Sequence, residues 1–358
     1  MEYGGHGLSR PHQLAFTQES LGYEMPVVFN VPSLSILAPT LLDFGTEEQK
    51  QRHIPKILSG EEMWVQFLSE PSGGSDLAGL VTRATRDGDV FMLNGSKIWS
   101  SGAFRADYAL CLARTNWHAP KHRGITCFIV KIHQPGIEVQ QIKMANGWNE
   151  FCQEYFDDAV IPAENVVGEI DDGWTVATRL LVHERNAVGG ASPFTSGVAT
   201  SSGRGVGRNM IRLATSCQAD KDPTVRQLVA ESRVLDRVAH QLVDRVTTGI
   251  ASGYFPAPAG SLPRLFGATA SERSHDIGLE IIGNRAGGWS QGEMAGDIAV
   301  TFLTRQNSSL GGGSNEMQRN IIAERVLGMP REFAADKDKP FDEVLHNAAP
   351  TRSGGAGG

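Results

Sequence analysis

The spacing of hydrophobic residues changes twice along the chain and divides it into parts. From Pro11 to Leu58 apolar residues recur at mixed three- and four-residue intervals, the period of an amphipathic helix. From Met63 to about Val167 short β-branched and aromatic runs alternate with turn residues, as expected of strands. The helical period returns beyond Gly168. The pattern predicts an α+β chain: a helical domain over 1–62, a β-domain over 63–167, a helical bundle over 168–335 and a flexible tail over 336–358.

Short local signals predict where individual elements begin and turn. Thr46, with Gln49 three residues later, is a capping-box pattern that marks the start of a helix. The pair Asn94-Gly95 readily adopts positive backbone dihedrals and therefore predicts a tight hairpin turn inside the β-domain. Near the end of the chain, Ser314 is placed to cap the last helix.

The helix predicted to begin near Gly173 carries a carboxylate on its apolar face. Positions spaced by four, three and four residues share that face: Ala177, Leu181, Glu184 and Val188. A carboxylate among apolar side chains loses hydration, which raises its pKa toward the range useful for a base. The alternative is that Glu184 pairs with an arginine for structural reasons alone. After this helix, the Gly, Ser and Thr residues between 189 and 207 predict a long loop.

Composition and charge exclude several classes of function. The 358 residues exceed the usual size of one hydrophobic core, so two or three structural units are expected. A formal net charge of -7 without dense Lys/Arg clusters argues against nucleic acid as the main partner. The cysteines form no CxxC pair, which disfavours a metal site and a disulfide framework. With no signal-peptide pattern and no apolar run near the roughly 20 residues of a membrane helix, we expect a soluble cytoplasmic enzyme.

The stretch from Phe67 to Gly79 combines glycines, hydroxyls and carboxylates in a way that suits ligand binding. Its backbone amides can approach a planar or anionic ligand without obstruction by side chains. An ordinary Gly/Ser turn is the alternative interpretation, and the other motifs decide between the two. These motifs are Asn94–Ser101, Phe156–Gly168, Gly173-Trp174 ahead of His183-Glu184-Arg185, and Gly311–Gly328. In this order they resemble the acyl-CoA dehydrogenase family over nearly the whole chain.

The resemblance implies a fold and an assembly. It implies a helical amino-terminal domain, a middle β-barrel-like domain and a carboxy-terminal helical bundle. The family's helices that normally precede the segment at Met1 are absent, so the resemblance also implies a truncated first domain. Because FAD lies at a subunit interface in the family, a homo- or hetero-oligomer, a dimer or tetramer, is expected.

The resemblance also implies a reaction. Members of the family are flavoenzymes that convert an acyl-CoA thioester to the trans-2-enoyl-CoA. A base removes the α-proton, flavin N5 accepts the β-hydride, and the electrons pass to an electron-transfer flavoprotein. Because the α-proton is only weakly acidic, donors aimed at the thioester carbonyl must stabilise the developing enolate.

Family resemblance assigns several residues to the cofactor and the substrate. Leu68 and Ser69 are expected at the isoalloxazine edge of FAD, and Trp99 with Ser101 at the ring face and N5 region. Without the flanking motifs, Trp99 would be read as a core tryptophan on a strand. The remaining assignments are Ser314 and Glu316 on FAD, and Ser75 and Arg185 on the acyl-CoA substrate, with Ser75 at its pantetheine arm.

The base is assigned by comparing two patterns within the family. Many relatives carry a catalytic glutamate in the final motif, and the corresponding position here is Gly312. Another branch, which resembles the isovaleryl and long-chain enzymes, uses a glutamate in a Glu-Arg pair on the helix after the β-domain. Glu184-Arg185 matches that pair, so Glu184 is the expected base. The backbone N–H of Gly312 is then expected to donate to the thioester oxygen.

Departures from the family pattern leave alternatives open. An Arg-x-x-Phe-Gly motif that contacts FAD of the neighbouring subunit is not recognisable, and Glu280 stands where relatives carry a glutamine. A carboxylate beside a pyrophosphate is unfavourable unless a cation intervenes. The alternatives are a related flavin monooxygenase or nitroalkane oxidase, and a non-catalytic or FAD-deficient partner subunit of a hetero-oligomeric dehydrogenase.

Overall fold

The computed structural model describes residues 2–20, 23, 26–187, 210–289 and 292–344. Val188, the loop predicted over 189–207 and residues 345–358 of the predicted tail lie outside the described residues. Within these ranges no helix is long and apolar enough to cross a membrane.

Helices form the first part of the chain, as the spacing of apolar residues predicts. They are α1 (Arg10–Ser20), α2 (Val27–Asn30), a π-helical turn (Val31–Leu37), α3 (Ala38–Phe44) and α4 (Glu47–Ser59). The predicted capping box at the start of α4 is confirmed. Thr46 Oγ1 accepts the N–H of Gln49 at 3.2 Å, and Gln49 Oε1 accepts the N–H of Thr46 at 3.0 Å.

The middle of the chain folds into one sheet. Among the described residues its strands are β1 (Trp64–Phe67), β2 (Arg83–Asp87), β3 (Val90–Ser101), β4 (Tyr108–Arg114), β5 (Ile125–Lys131), β6 (Ile137–Gln141), β7 (Phe151–Pro162) and β8 (Val166–Val167). Their order is β6-β7-β3-β2-β4-β5-β8, and β1 pairs with β4 in parallel. Alternate residues of β4 point to opposite faces. Leu110 and Leu112 join the core shared with the helices, whereas Ala109 and Cys111 join a second core within the β-domain.

The prediction of a hairpin turn at Asn94-Gly95 is wrong. Strand β3 continues through this pair, and β2 turns into β3 at Gly88 instead. The cause is long-range, because β7 pairs with β3 on both sides of Gly95 and only the register shifts there. Gly95 has φ +142°, and a Cβ at this position would lie 2.8 Å from Thr82 Cα. A glycine is therefore needed here because the strand forms a bulge and its backbone passes close to that of Thr82.

Helices return after the sheet. They are α5 (Gly173–Asn186), α6 (Met210–Ser216), α7 (Pro223–Ala251), α8 (Ser261–Ile282), α9 (Met294–Phe302), α10 (Asn307–Leu310) and α11 (Asn315–Ile321), followed by a π-helical turn (Ile322–Val326). Helices α6, α8 and α9 share a buried core that includes Met210, Ile277 and Ile298. The predicted cap of the last helix is confirmed, since Ser314 Oγ accepts the N–H of Met317 at 3.3 Å.

Residues 336–344 differ from the flexible tail expected from position 336. The N–H groups of Phe341 and Asp342 each donate at 3.0 Å to carbonyls of the β-domain, those of Ala119 and Trp117. The Phe341 ring is 1% exposed, and the Arg114 guanidinium lies 3.5 Å from its centroid. This contact could not be predicted from the sequence, because a single aromatic residue in a polar segment packs on partners that are far away along the chain.

Candidate active site

Strand β1 joins the predicted base to the predicted ligand-binding stretch. Gln66, on β1, donates from Nε2 to Glu184 Oε2 on α5 at 3.0 Å. Leu68 and Ser69 follow immediately after β1 and begin the ligand loop, residues 68–80. The hydrogen bond therefore places the Glu184 carboxylate close to the start of this loop.

A buried ion pair fixes the two ends of the ligand loop. Lys97 Nζ lies 2.8 Å from Glu70 Oε1 and also donates to the Leu68 carbonyl at 3.1 Å. Glu70 accepts the N–H groups of Val81 and Thr82 at 2.7 and 2.9 Å. Burial alone would raise the pKa of Glu70, but the Lys97 ammonium and these hydrogen bonds lower it below its usual range. The two ends of the loop are thus held together by the carboxylate of Glu70, whose oxygens are paired with Lys97 and with backbone N–H groups.

Trp99 is not the core tryptophan that a strand position alone would suggest. Its side chain is 56% exposed, and its ring meets Phe151 edge to face with centroids 5.9 Å apart. The backbone of Trp99 has φ +70°, a conformation that costs a non-glycine residue about 1–3 kcal/mol. The preceding N–H, that of Ile98, donates to the Ser69 carbonyl at 2.9 Å. An exposed aromatic face therefore lies beside the ligand loop, with Ser101 at the end of the same strand.

These residues fit a planar cofactor such as the isoalloxazine ring of FAD. Gly74 brings the loop back over Ser69, where an added Cβ would lie only 3.1 Å from Ser69 Oγ. The hydroxyls of Ser69 and Ser101 can form hydrogen bonds with such a ring, and the exposed face of Trp99 can stack on it. Ser75 is exposed in the same loop. The structure thus places Leu68 and Ser69 beside the strand that carries Trp99, with Ser75 further along the same loop and Ser101 two residues beyond Trp99 on the same strand.

Glu184 is partly buried on α5, and its surroundings suit a base. Burial raises the pKa of Glu184 above its usual range, while the Gln66 hydrogen bond and the nearby Arg185 and Arg264 oppose the shift. Burial likewise lowers the pKa of Arg185, which Glu184 partly restores. The Glu184 carboxylate is therefore poorly hydrated, and the positive charges of the nearby arginines favour its ionised form. General-base catalysis near neutral pH requires both conditions.

The turn Gly311–Gly313 approaches this carboxylate through Arg264. Arg264, on α8, donates to the Gly311 carbonyl and lies close enough to Glu184 to influence its pKa. Gln318 Nε2 donates to the carbonyls of Gly312 and Gly313 at 3.2 and 3.0 Å. Gly312 and Gly313 have φ of +71° and +85°, a region that favours glycine.

The two remaining predicted FAD residues lie at the start of α11. Ser314 is buried and uses its hydroxyl oxygen as the helix cap. Glu316 is exposed and accepts from Arg319 Nη1 at 3.3 Å. The backbone N–H of Glu316 and a hydrogen bond from Ser314 lower the pKa of the Glu316 carboxyl, so it stays a carboxylate at neutral pH.

Glu280 is paired with a cation, which a carboxylate beside a pyrophosphate requires. Arg273 Nη1 lies 2.7 Å from Glu280 Oε1, and the Arg273 guanidinium also binds both carboxylate oxygens of Glu231. Because Arg273 is shared with Glu231, it offsets only part of the Glu280 charge that would repel a pyrophosphate. The replacement of glutamine by Glu280 is therefore less unfavourable than the sequence alone suggests.

Gln66 and Arg264 are site residues that the sequence did not reveal. Gln66 is the one polar residue of Trp64–Phe67 and directly precedes the ligand-binding stretch, which was the available signal. Arg264 follows Pro263 near the start of a helix and had no comparable signal, because its partners Gly311 and Glu184 are distant in sequence.

Family models of known proteins match three consecutive parts of the chain. The acyl-CoA dehydrogenase N-terminal domain matches residues 1–61, the middle domain matches 66–159 and the C-terminal domain matches 171–327. The chain belongs to the acyl-CoA dehydrogenase family. It is accordingly an oxidoreductase of lipid metabolism, from a family whose members generally depend on FAD.

Individual relatives cover most of the chain. Acyl-CoA dehydrogenase IpdE1 of Mycobacterium tuberculosis is 36% identical over 337 residues, which span 92% of this chain and 83% of the relative. The solved structure of the Tcur3481-Tcur3483 steroid ACAD is 30% identical with a TM-score of 0.76, covering 92% of this chain and 84% of that one. The ChsE4-ChsE5 complex from Mycobacterium tuberculosis is 28% identical with a TM-score of 0.74, covering 92% and 85%.

Proposed function

We propose that this chain catalyses FAD-dependent α,β-dehydrogenation of an acyl-CoA thioester, with Glu184 as the base. The observation that carries the proposal is the position of the Glu184 carboxylate. It is partly buried, hydrogen-bonded to Gln66 beside the ligand loop, and close to the arginine that binds the Gly-rich turn. A carboxylate, a surface for a planar ring and a turn with free amide groups are what the reaction needs in one place.

Each group has a defined task in the proposed reaction. Glu184 takes the α-proton, and the electron pair of the broken C–H bond delocalises toward the thioester oxygen. The Gly312 N–H donates to that oxygen and stabilises its negative charge. Arg185 and Ser75 contact the acyl-CoA.

The cofactor residues form two groups. Leu68, Ser69, Trp99 and Ser101 would hold the isoalloxazine ring, and Ser314 and Glu316 would contact FAD from the start of α11. When bound, FAD supplies the acceptor for the β-hydride. The proposed external electron acceptor is an electron-transfer flavoprotein, as the family resemblance indicates.

The proposal is tested by incubating the purified protein with a panel of acyl-CoAs and an artificial electron acceptor. Mass spectrometry should find an enoyl-CoA product that lacks two hydrogens. Glu164→Gln is a suitable control, because the Glu164 side chain is 76% exposed and lies in the turn between β7 and β8, outside the residues assigned to the site. Glu164→Gln should form product normally and Glu184→Gln should not. Absence of product from every acyl-CoA, with FAD bound, would contradict the proposed function.

A role within a hetero-oligomer is a second candidate. Both solved relatives described above are named for two components. The test is the ratio of flavin to chain in the protein purified alone and together with candidate acyl-CoA dehydrogenase partners. Stoichiometric flavin and turnover in the chain alone support an independent enzyme, whereas flavin and turnover that arise only with a partner support a subunit.

A further inference from the structure

Arg264 is a buried cation that has no salt bridge within the described part of the chain. Its side chain is 5% exposed, and the hydrogen bond that it makes there goes to the Gly311 carbonyl. Its Nε has no hydrogen-bond partner among the same residues. Burying a guanidinium without a paired carboxylate is costly, and burial lowers its pKa. A hydrogen bond that only held α8 to the Gly-rich turn would not need a charged side chain at this position.

The Arg264 hydrogen bond fixes the direction of the neighbouring amide. In a trans peptide the carbonyl of Gly311 and the N–H of Gly312 belong to one plane and point in opposite directions. Holding the Gly311 carbonyl toward Arg264 therefore turns the Gly312 N–H away from α8. Within the described residues this N–H has no hydrogen-bond acceptor, so it is available to a ligand.

The Gly-rich turn needs such a constraint. Glycines have the widest choice of backbone dihedrals, so three in succession lose much entropy when they are ordered. Arg264 binds the first carbonyl, and Gln318 binds the next two. These side chains fix three consecutive peptide groups, and removal of either leaves part of the turn free to rotate.

Arg264 also connects the turn with the proposed base. The charges of Arg264 and Glu184 interact, since each shifts the pKa of the other, although the two side chains form no salt bridge within the described residues. The other cation that acts on Glu184 is Arg185, and Arg325 acts on Arg185. One side chain therefore contacts the turn that carries the amide and interacts electrostatically with the carboxylate of the proposed base.

We propose that Arg264 is a positioning residue that orients the Gly312 N–H toward the thioester oxygen. The inference rests on the proposed function and extends it. During enolisation the Cα–H bond breaks, its proton moves to Glu184, and its electron pair shifts to the thioester oxygen. Arg264 gains and loses no atom in this step. It acts through the peptide group between Gly311 and Gly312.

The test measures enolisation separately from dehydrogenation. An acyl-CoA with sulfur in place of its β-carbon has exchangeable α-protons and no β-hydrogen to lose. Exchange of its α-protons in D₂O, followed by mass spectrometry, reports proton removal without turnover of the cofactor. The proteins to compare are FAD-loaded wild type, Arg264→Gln, Arg264→Lys, Glu184→Gln and the control Arg305→Gln. Arg305 also contacts α8, through Asp276, and donates to a backbone carbonyl, that of Phe302.

Loss of one oriented oxyanion donor costs about 100- to 1000-fold in rate in other enzymes. We expect Arg264→Gln to slow exchange by about 100-fold while the affinity for the analogue stays nearly unchanged. Arg264→Lys keeps the charge but loses the planar fork, so its exchange should be slowed by about 10-fold or more. Arg305→Gln should exchange like wild type.

Different outcomes overturn different statements. Wild-type exchange rates in Arg264→Gln, with Glu184→Gln inactive, would reject the positioning role and leave the proposed function intact. If Arg264→Gln does not fold, Arg264→Lys decides, and a wild-type rate in that variant rejects the role. A parallel loss of affinity and exchange would show that Arg264 is merely structural. No exchange and no dehydrogenation in wild type would remove the proposed function and this inference together.

Discussion

At the scale of single residues, Glu154 and Glu184 show how the neighbours of a carboxyl group decide its charge state. Burial raises the pKa of Glu154 to about 8, and one of its oxygens accepts a hydrogen bond from Ser100 at 3.0 Å. Its other oxygen has no partner among the described residues. Burial also raises the pKa of Glu184, but the positive charges of Arg185 and Arg264 oppose that shift. Glu154 is therefore expected to keep its proton at neutral pH, whereas the positive charges of Arg185 and Arg264 favour the ionised form of Glu184.

The raised pKa of Glu154 makes stability depend on pH. Above about pH 4.3 the unfolded chain releases this proton, whereas the folded protein keeps it up to about pH 8. The folded state then binds more protons, so the contribution of Glu154 to stability falls as pH rises through this window. Glu154→Gln, which resembles the protonated acid, should be more stable than wild type by about 1 kcal/mol or more at pH 8.

Urea unfolding at pH 5 and pH 8 measures this effect. The difference between Glu154→Gln and wild type should grow with pH, and Glu164→Gln, at an exposed position, should show no such trend. A difference that is the same at both pH values would mean that Glu154 ionises normally in the folded protein.

At the scale of elements, local signals predicted starts and caps, and long-range pairing decided the rest. The capping box at Thr46 and the cap at Ser314 depend on residues within three positions, so the sequence contains the full information. The face of α5 that carries Glu184 is equally local. The bulge at Gly95 depends on pairing with β7, and the contacts of Gln66 and Arg264 depend on how separate elements pack. Those features could not be predicted from one sequence.

The base of the ligand loop is an element whose stability depends on one buried pair. Glu70→Gln leaves the Lys97 ammonium buried without its counter-ion, and such a loss costs about 3–5 kcal/mol. Replacement of both partners, by Glu70→Gln with Lys97→Met, should recover part of the loss because no buried charge remains. Urea unfolding of the two variants and wild type measures both effects. A single variant as stable as wild type would show that the pair does not hold the loop.

At the scale of the whole molecule, the segment 336–344 links the end of the chain to the β-domain and the ligand loop. Lys121 Nζ lies 2.9 Å from Asp336 Oδ2 and 3.2 Å from Asp76 Oδ1. Asp76 directly follows Ser75, a proposed substrate contact. The buried ring of Phe341 is the apolar anchor of the segment.

Removal of that anchor should release the segment. Phe341→Ala leaves a cavity beside Arg114 and Trp117, where loss of a buried Phe ring costs about 3–5 kcal/mol. Limited proteolysis should then cut within 336–344 faster than in wild type. Phe333→Ala is the control, because the Phe333 side chain is 93% exposed and should leave the cleavage rate unchanged. Equal protection in Phe341→Ala would show that other contacts hold the segment.

The role of Glu184 is tested most directly by the rate at which the bound flavin is reduced in a single turnover with the best acyl-CoA found. Glu184→Gln keeps the shape of the side chain and the partner of Gln66 but removes the basic lone pair, so binding and the oxidised flavin spectrum should persist. We predict that flavin reduction slows by several orders of magnitude in Glu184→Gln. Reduction at a rate close to that of wild type would show that the α-proton is taken by another group.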